Sequence, residues 1–150
     1  RASSTLPFVM PAVRIDGHVY YDGGLGQGAG IPLQLALDSG CSRIFAILTR
    51  PKGFRKPAPD IGRSARMIAN SYHKYPYVRE ALLTRNERYN AELEKLEQLA
   101  AEGKAYIVYA DKMAVENNTT DIKKLRSSYF DGYNQAQKEF PRWLEWLGIE

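Results

Sequence analysis

Alternating apolar and polar positions first appear in "AVRIDGHVYY", residues 12–21. β-Branched and aromatic residues flank Asp16-Gly17, a pair that supplies the positive φ values of a two-residue turn, so the segment reads as a β-hairpin. Residues 22–30, with five glycines in the eight positions after Asp22, read as a loop. "IPLQLALDSG" reads as a short helix, with Pro32 suited to its first turn and Gly40 to its C-terminal cap. "RIFAILT" is a nearly continuous apolar run, the pattern of a strand buried on both faces. Strand, loop, helix and strand in this order predict a βαβ unit with parallel strands and a right-handed crossover. Asp22 would then stand at the carboxyl end of a strand, where functional groups gather in such sheets.

A proline-rich basic connection, "RPKGFRKPAP", leads from about Asp60 into helical periodicity. "DIGRSARMIANSYHK" predicts one helix and "PYVREALLTRNERYNAELEKLEQLAAEGK" a second, longer one. In the latter Val78, Leu82, Tyr89, Leu93, Leu96 and Ala100 recur at helical spacing, and Gly103 marks a stop. "AYIVYA" reads as a further strand. Asn117 to Thr120 mark a turn, with Thr119 or Thr120 as the expected cap of a final helix. That helix carries Ile122, Leu125, Tyr129, Tyr133, Ala136 and Phe140, and Pro141 is expected to kink or restart it before "RWLEWL".

Composition narrows the class. Of 150 residues, 44% are apolar and 25% charged, the profile of a folded domain rather than a disordered chain. No run approaches the roughly 18 apolar residues of a membrane span. A net charge of +4 is too weak to argue for nucleic acid by itself. The single cysteine, Cys41, excludes an internal disulfide and reads as a small buried hydrophobe at a helix exit. His18 and His73 are too few and too far apart for a metal site, so no metal is expected. His18, on a hairpin strand, reads as a surface or packing residue. The chain starts at Arg1 rather than Met, which reads as part of a longer protein.

The glycine loop admits three chemistries: a tight turn, a phosphate cradle, or half of a catalytic pair. The phosphate-loop pattern fails, because Ala29, Gly30 and Ile31 follow Gly28 where Lys and Ser or Thr are needed. The dinucleotide fingerprint survives only loosely, with Ala29 in its final slot, and residues 43–53 carry no acidic partner for a ribose.

The catalytic reading comes from a resemblance. "YYDGG", preceded by Ala2-Ser3-Ser4 and Pro7 and followed by Pro32, Gly40 and "RIFAIL", resembles the C-terminal part of a patatin-like acyl hydrolase core. The ordered blocks cover residues 1 to about 50, and "YPYVREALLTRNERYNAELEKLEQLAAEGK" looks like the helical tail of a bacterial subgroup. The resemblance implies an α/β fold: a β-hairpin and βαβ unit of an α/β/α core over residues 1–56, then a mostly helical region with one strand over 57–150. It implies a Ser–Asp dyad acting on a lipid or other acyl ester without a cofactor. Asp22 is the implied catalytic aspartate, and Gly23 and Gly24 are the bare backbone that lets a bulky acyl group approach. No G-x-S-x-G occurs in these residues. The nucleophilic serine and the oxyanion loop are therefore expected from the N-terminal half of the same protein, and this chain alone is expected to be inactive. The implied location is cytoplasmic, with contact at a membrane surface as a variant.

Plainer readings stand beside it. Asp22 is also a natural turn residue before glycine. Ser3 and Ser4 read as packing or turn residues rather than nucleophiles. Arg50, Lys52, Arg55, Lys56, Arg63 and Arg66, opposed only by Asp60, read first as a solvated stretch. The rival function is a non-catalytic module that binds anionic lipid or nucleic acid through residues 50–66, although no nucleic-acid partner is expected under the main reading. Trp143 and Trp146 read as anchors of the terminal helix to its own core rather than membrane contacts.

Overall fold

A computed structural model of the chain describes residues 1–58, 62–116 and 118–149. The expected helix start at Asp60 and the opposing charge of Asp60 lie outside these, as does Asn117. The class is mixed α/β, with a strand-poor, helix-rich C-terminal region. The chain forms two compact units. One comprises residues 1–42 and 55–99, the other residues 43–54 and 100–150.

The first unit opens with the hairpin β1 (Val13–Ile15) and β2 (His18–Tyr20). Val13 pairs with Tyr20 and Ile15 with His18, and Asp16 and Gly17 take φ of 49° and 79°, as a two-residue turn demands. A 3₁₀ turn at Gly23–Leu25 and helix α1 (Leu33–Asp38) follow, and Gly40, at φ 82°, ends α1. Helices α2 (Arg63–Ser71), α3 (Pro76–Leu83) and α4 (Arg85–Ala101) complete the unit. Ile31 and Leu33, with Tyr89, Leu93 and Leu96 of α4, are among its buried apolar residues.

The expected long helix is divided at Thr84. The Thr84 hydroxyl donates to the Glu80 carbonyl at 2.9 Å, which it shares with the Thr84 backbone N–H, and accepts from Arg88 Nε at 3.0 Å.

In the second unit, β3 (Ile44–Leu48) pairs in parallel with β4 (Ala105–Tyr109), Ile44 opposite Ala105 and Leu48 opposite Tyr109. This corrects the expected βαβ unit: the parallel partner of β3 is β4, and β2 pairs with β1. The apolar run of β3 is only partly covered, with Ile47 65% exposed, because a two-stranded sheet cannot bury both of its faces as a wide one does. Helix α5 (Ile122–Leu147) docks through aromatic rings. Phe45 stacks on Tyr106 at 5.5 Å, Trp143 meets Phe45 at 5.7 Å, and Trp146 lies 5.7 Å from Tyr106. Arg43 sits 4.2 Å over the Trp146 ring. Both tryptophans thus anchor the helix to the sheet of its own unit.

Two details of α5 differ from expectation. Asp121, not Thr119 or Thr120, caps it, its carboxylate accepting from the N–H of Lys123 at 2.8 Å, while the Thr119 hydroxyl accepts from Glu116 N–H. The helix does not restart at Pro141 but continues through it. Ile122, Leu125, Tyr129, Tyr133 and Phe140 are exposed.

Candidate functional site

Asp22 follows β2 and caps the 3₁₀ turn that begins the glycine loop. Its Oδ1 accepts a hydrogen bond from Gly24 N–H at 2.7 Å, and its own N–H donates to the Thr5 carbonyl at 2.9 Å. Thr5 is 2% exposed and ends the short turn Ala2–Ser4, so the N-terminal segment is tied to the backbone of Asp22. Ser4 and Thr5 hydroxyls donate back to the Arg1 carbonyl, which makes Ser4 a turn residue as expected. The carboxylate is half-buried. One oxygen is fixed by the turn, and among the described residues the other accepts no hydrogen bond.

That carboxylate lines a cavity of about 630 Å³ within the first unit. It is lined by residues of the glycine loop from Gly23 to Gly30, by residues of α1 including Asp38 at its end, and by Ser3 and Arg85. Asp22, Gly23 and Gly24, the three site residues expected from sequence, are therefore together at one cavity. Gly28 is sterically required, and Gly24 lies tight against two side-chain ends. A Cβ at Gly28 would lie 1.8 Å from the Ile31 carbonyl oxygen. A Cβ at Gly24 would lie 2.7 Å from both Asp22 Oδ1 and Arg85 Nη2.

Helix α4 braces this loop through a stripe of polar residues. Arg85 packs its guanidinium over the bare α-carbon of Gly24. One turn on, Arg88 donates to the carbonyls of Gly26 and Gln27, to Ala81 at 2.7 Å and to Thr84 Oγ1 at 3.0 Å. A further turn on, buried Glu92 accepts the Gln34 N–H at 3.1 Å, satisfying an orphan donor in the first turn of α1. Sequence reasoning assigned no role to any of the three. The available signal was their spacing of three and four, one face of a helix, beside the apolar stripe of Tyr89, Leu93 and Leu96.

Other expected residues stand elsewhere. Asp22 follows a hairpin strand rather than a parallel one. The carboxyl ends of the parallel pair β3 and β4 instead border a second cavity of about 540 Å³ inside the second unit, lined also by Asp111, Asp131 and Gln135. Cys41 is exposed, not buried, because α1 ends before it and leaves it on a surface turn. His18 is exposed, and His73 Nδ1 lies 2.9 Å from the Asn70 carbonyl at the end of α2. Of the basic stretch, Arg55 pairs with Glu97, Lys56 sits 3.8 Å over the Tyr89 ring, and Arg50 lies 4.9 Å over Phe54. Those three cations are engaged within the fold. Among the described residues, no group of three His, Cys, Asp or Glu could hold a metal ion, and no helix is long and apolar enough to cross a membrane.

Residues 75–148 match a family described as a domain of unknown function, DUF6363. No curated protein and no solved structure matches the chain. The matched segment begins just before α3, so it contains Arg85, Arg88 and Glu92, the three α4 residues that meet the glycine loop and α1.

Proposed function

We propose that this chain is the C-terminal part of a patatin-like serine acyl hydrolase and that Asp22 is its general base. The observation that carries the reading is the half-buried Asp22 carboxylate on a cavity walled by bare glycine backbone, with one oxygen fixed and the other open. The ordered sequence blocks add support. Asp22, Ser3 of the Ala-Ser-Ser segment and Pro32 of the helix start all border that cavity.

In the proposed reaction a serine outside these 150 residues attacks the acyl carbon of an ester. Asp22 accepts the hydroxyl proton as the C–O bond forms, and the carbonyl π electrons move to oxygen. Collapse of the tetrahedral species expels the alcohol, which takes the proton back from Asp22. Water then attacks the acyl-serine, Asp22 again accepting a proton, and the acid and free serine are released. The anchored oxygen keeps the carboxylate from rotating, and the open one receives the proton. No metal or organic cofactor enters this scheme.

The test is Asp22→Asn in the full-length protein with a short-chain ester. A positioned general base contributes about 10²- to 10⁴-fold, so kcat should fall by at least ~10² with little change in folding. A kcat near wild type would reject the assignment.

A further inference from the structure

Arg85 is a charged group of the Asp22 cavity that the proposed reaction leaves idle. Its Nε is buried and has no hydrogen-bond partner, and among the described residues neither Arg85 nor Asp22 joins an ion pair. A buried donor without an acceptor costs about 1–3 kcal/mol, more when charged, so a position that retains one calls for a reason. The two neighbouring polar residues of α4 face the same loop and are satisfied: Arg88 by backbone carbonyls, Glu92 by Gln34 N–H and Lys95. Of these three, Arg85 alone has a buried donor without a partner, and Arg85 lines the cavity. A Cβ at Gly24 would make the guanidinium shift from its present place beside Asp22.

We propose that Arg85 is the specificity-determining residue of this cavity and binds the carboxylate or phosphate of an anionic acyl ester, a substrate class that rests on the acyl-hydrolase reading above. A guanidinium presents several donors in a planar fork that matches the oxygens of either anion. Asp22 and Asp38, which also line the cavity, oppose an anion. Asp38 Oδ1 is occupied by Gln34 Nε2 at 2.8 Å, and the Asp22 carboxylate flanks Gly24 beside the guanidinium. The pair therefore places an acceptor for the nucleophile's proton next to a donor set for the ester's charged end.

The test has a binding arm and a turnover arm. In the first, the chain is titrated with inorganic phosphate and, separately, with acetate, following the backbone amides of residues 23–30 by NMR. Wild type is expected to saturate with Kd on the order of 1–10 mM. Arg85→Gln should weaken binding about tenfold or more, the worth of a charge-assisted hydrogen bond. Arg85→Lys, which keeps the charge, should retain part of the affinity and shows that the loop tolerates substitution. Asp22→Asn, which removes a neighbouring negative charge, should tighten binding several-fold. Equal affinity in wild type and Arg85→Gln, or no saturable binding of either anion, overturns the proposal.

The turnover arm uses the full-length protein and two short-chain esters, one neutral and one bearing a carboxylate or phosphate. The ratio of kcat/KM for the charged over the neutral ester should fall about tenfold in Arg85→Gln, and an unchanged ratio counts against Arg85. Saturable, Arg85-dependent phosphate binding in a protein that turns over no ester would uphold the anion site and overturn the acyl-hydrolase reading, so the two ideas fail separately.

Discussion

Tyr21 stands between the hairpin and the candidate base, and its phenol is held above the ordinary value of 10.0, first by a hydrogen bond with Tyr72 and then by burial and the neighbouring phenol's charge. Tyr72 is buried and meets Phe8 edge-on at 5.0 Å and Tyr21 at 6.4 Å. A raised phenol means that the native state holds its proton more tightly than the unfolded chain does. The associated stability is complete below pH 10 and is lost as pH rises through the native value. Denaturant unfolding across that alkaline range should show stability falling with pH, and Tyr21→Phe should flatten the fall. An equally steep fall in Tyr21→Phe would remove Tyr21 as its source. Residue by residue, the sequence disclosed what local chemistry decides. Asp16-Gly17 has one favourable turn, and Gly40 and Gly103 take the positive φ of helix ends. It did not disclose that Asp121 outcompetes Thr119 as a cap, because the Thr119 hydroxyl is spent on Glu116 N–H.

Helix α4 shows what an element adds beyond its residues. Its apolar stripe was legible from periodicity, and Tyr89, Leu93 and Leu96 are buried as that stripe predicts. Its polar stripe was not, since a charge between apolar positions looks the same in sequence whether it meets water or the carbonyls of a loop about 60 residues away. The division at Thr84 and the grip of Arg88 are one device, because Arg88 Nε donates to the same hydroxyl that donates to Glu80. Arg88→Gln would leave loop carbonyls without their charged donor. The expected loss is about 2–3 kcal/mol, the range for hydrogen bonds to a charged group. Amide exchange should accelerate first at residues 25–31, ahead of the α4 interior. Unchanged exchange in the glycine loop would mean that Arg88 does not hold it, and the precise placement of Asp22 would need another source.

At the scale of the whole molecule, the two units are interleaved along the chain rather than consecutive. Strand β3 lies in a short excursion, residues 43–54, out of the first unit, and its partner β4 arrives only after α2, α3 and α4. This explains why the parallel pairing escaped the sequence. Neighbouring elements were expected to share a sheet, and nothing in "RIFAILT" says which later strand will meet it. The second unit then depends on long-range contacts: a two-stranded ladder, plus the ring cluster of Phe45, Tyr106, Trp143 and Trp146 that fastens α5. Trp146 is the joint of that cluster, touching rings from both strands and carrying Arg43 on its face, with its carbonyl accepting from the Arg43 guanidinium. Trp146→Ala removes a large, partly buried side chain and should cost about 2–4 kcal/mol, somewhat under the range for a fully buried tryptophan. If the units are separate cooperative bodies, hydrogen exchange in this variant should rise at least tenfold at the amides of β3, β4 and the last turns of α5, while the amides of residues 23–33 keep their protection. A uniform rise across both sets would show that the chain opens as one body, and the cavity at Asp22 would then owe its shape to the aromatic cluster as much as to α4.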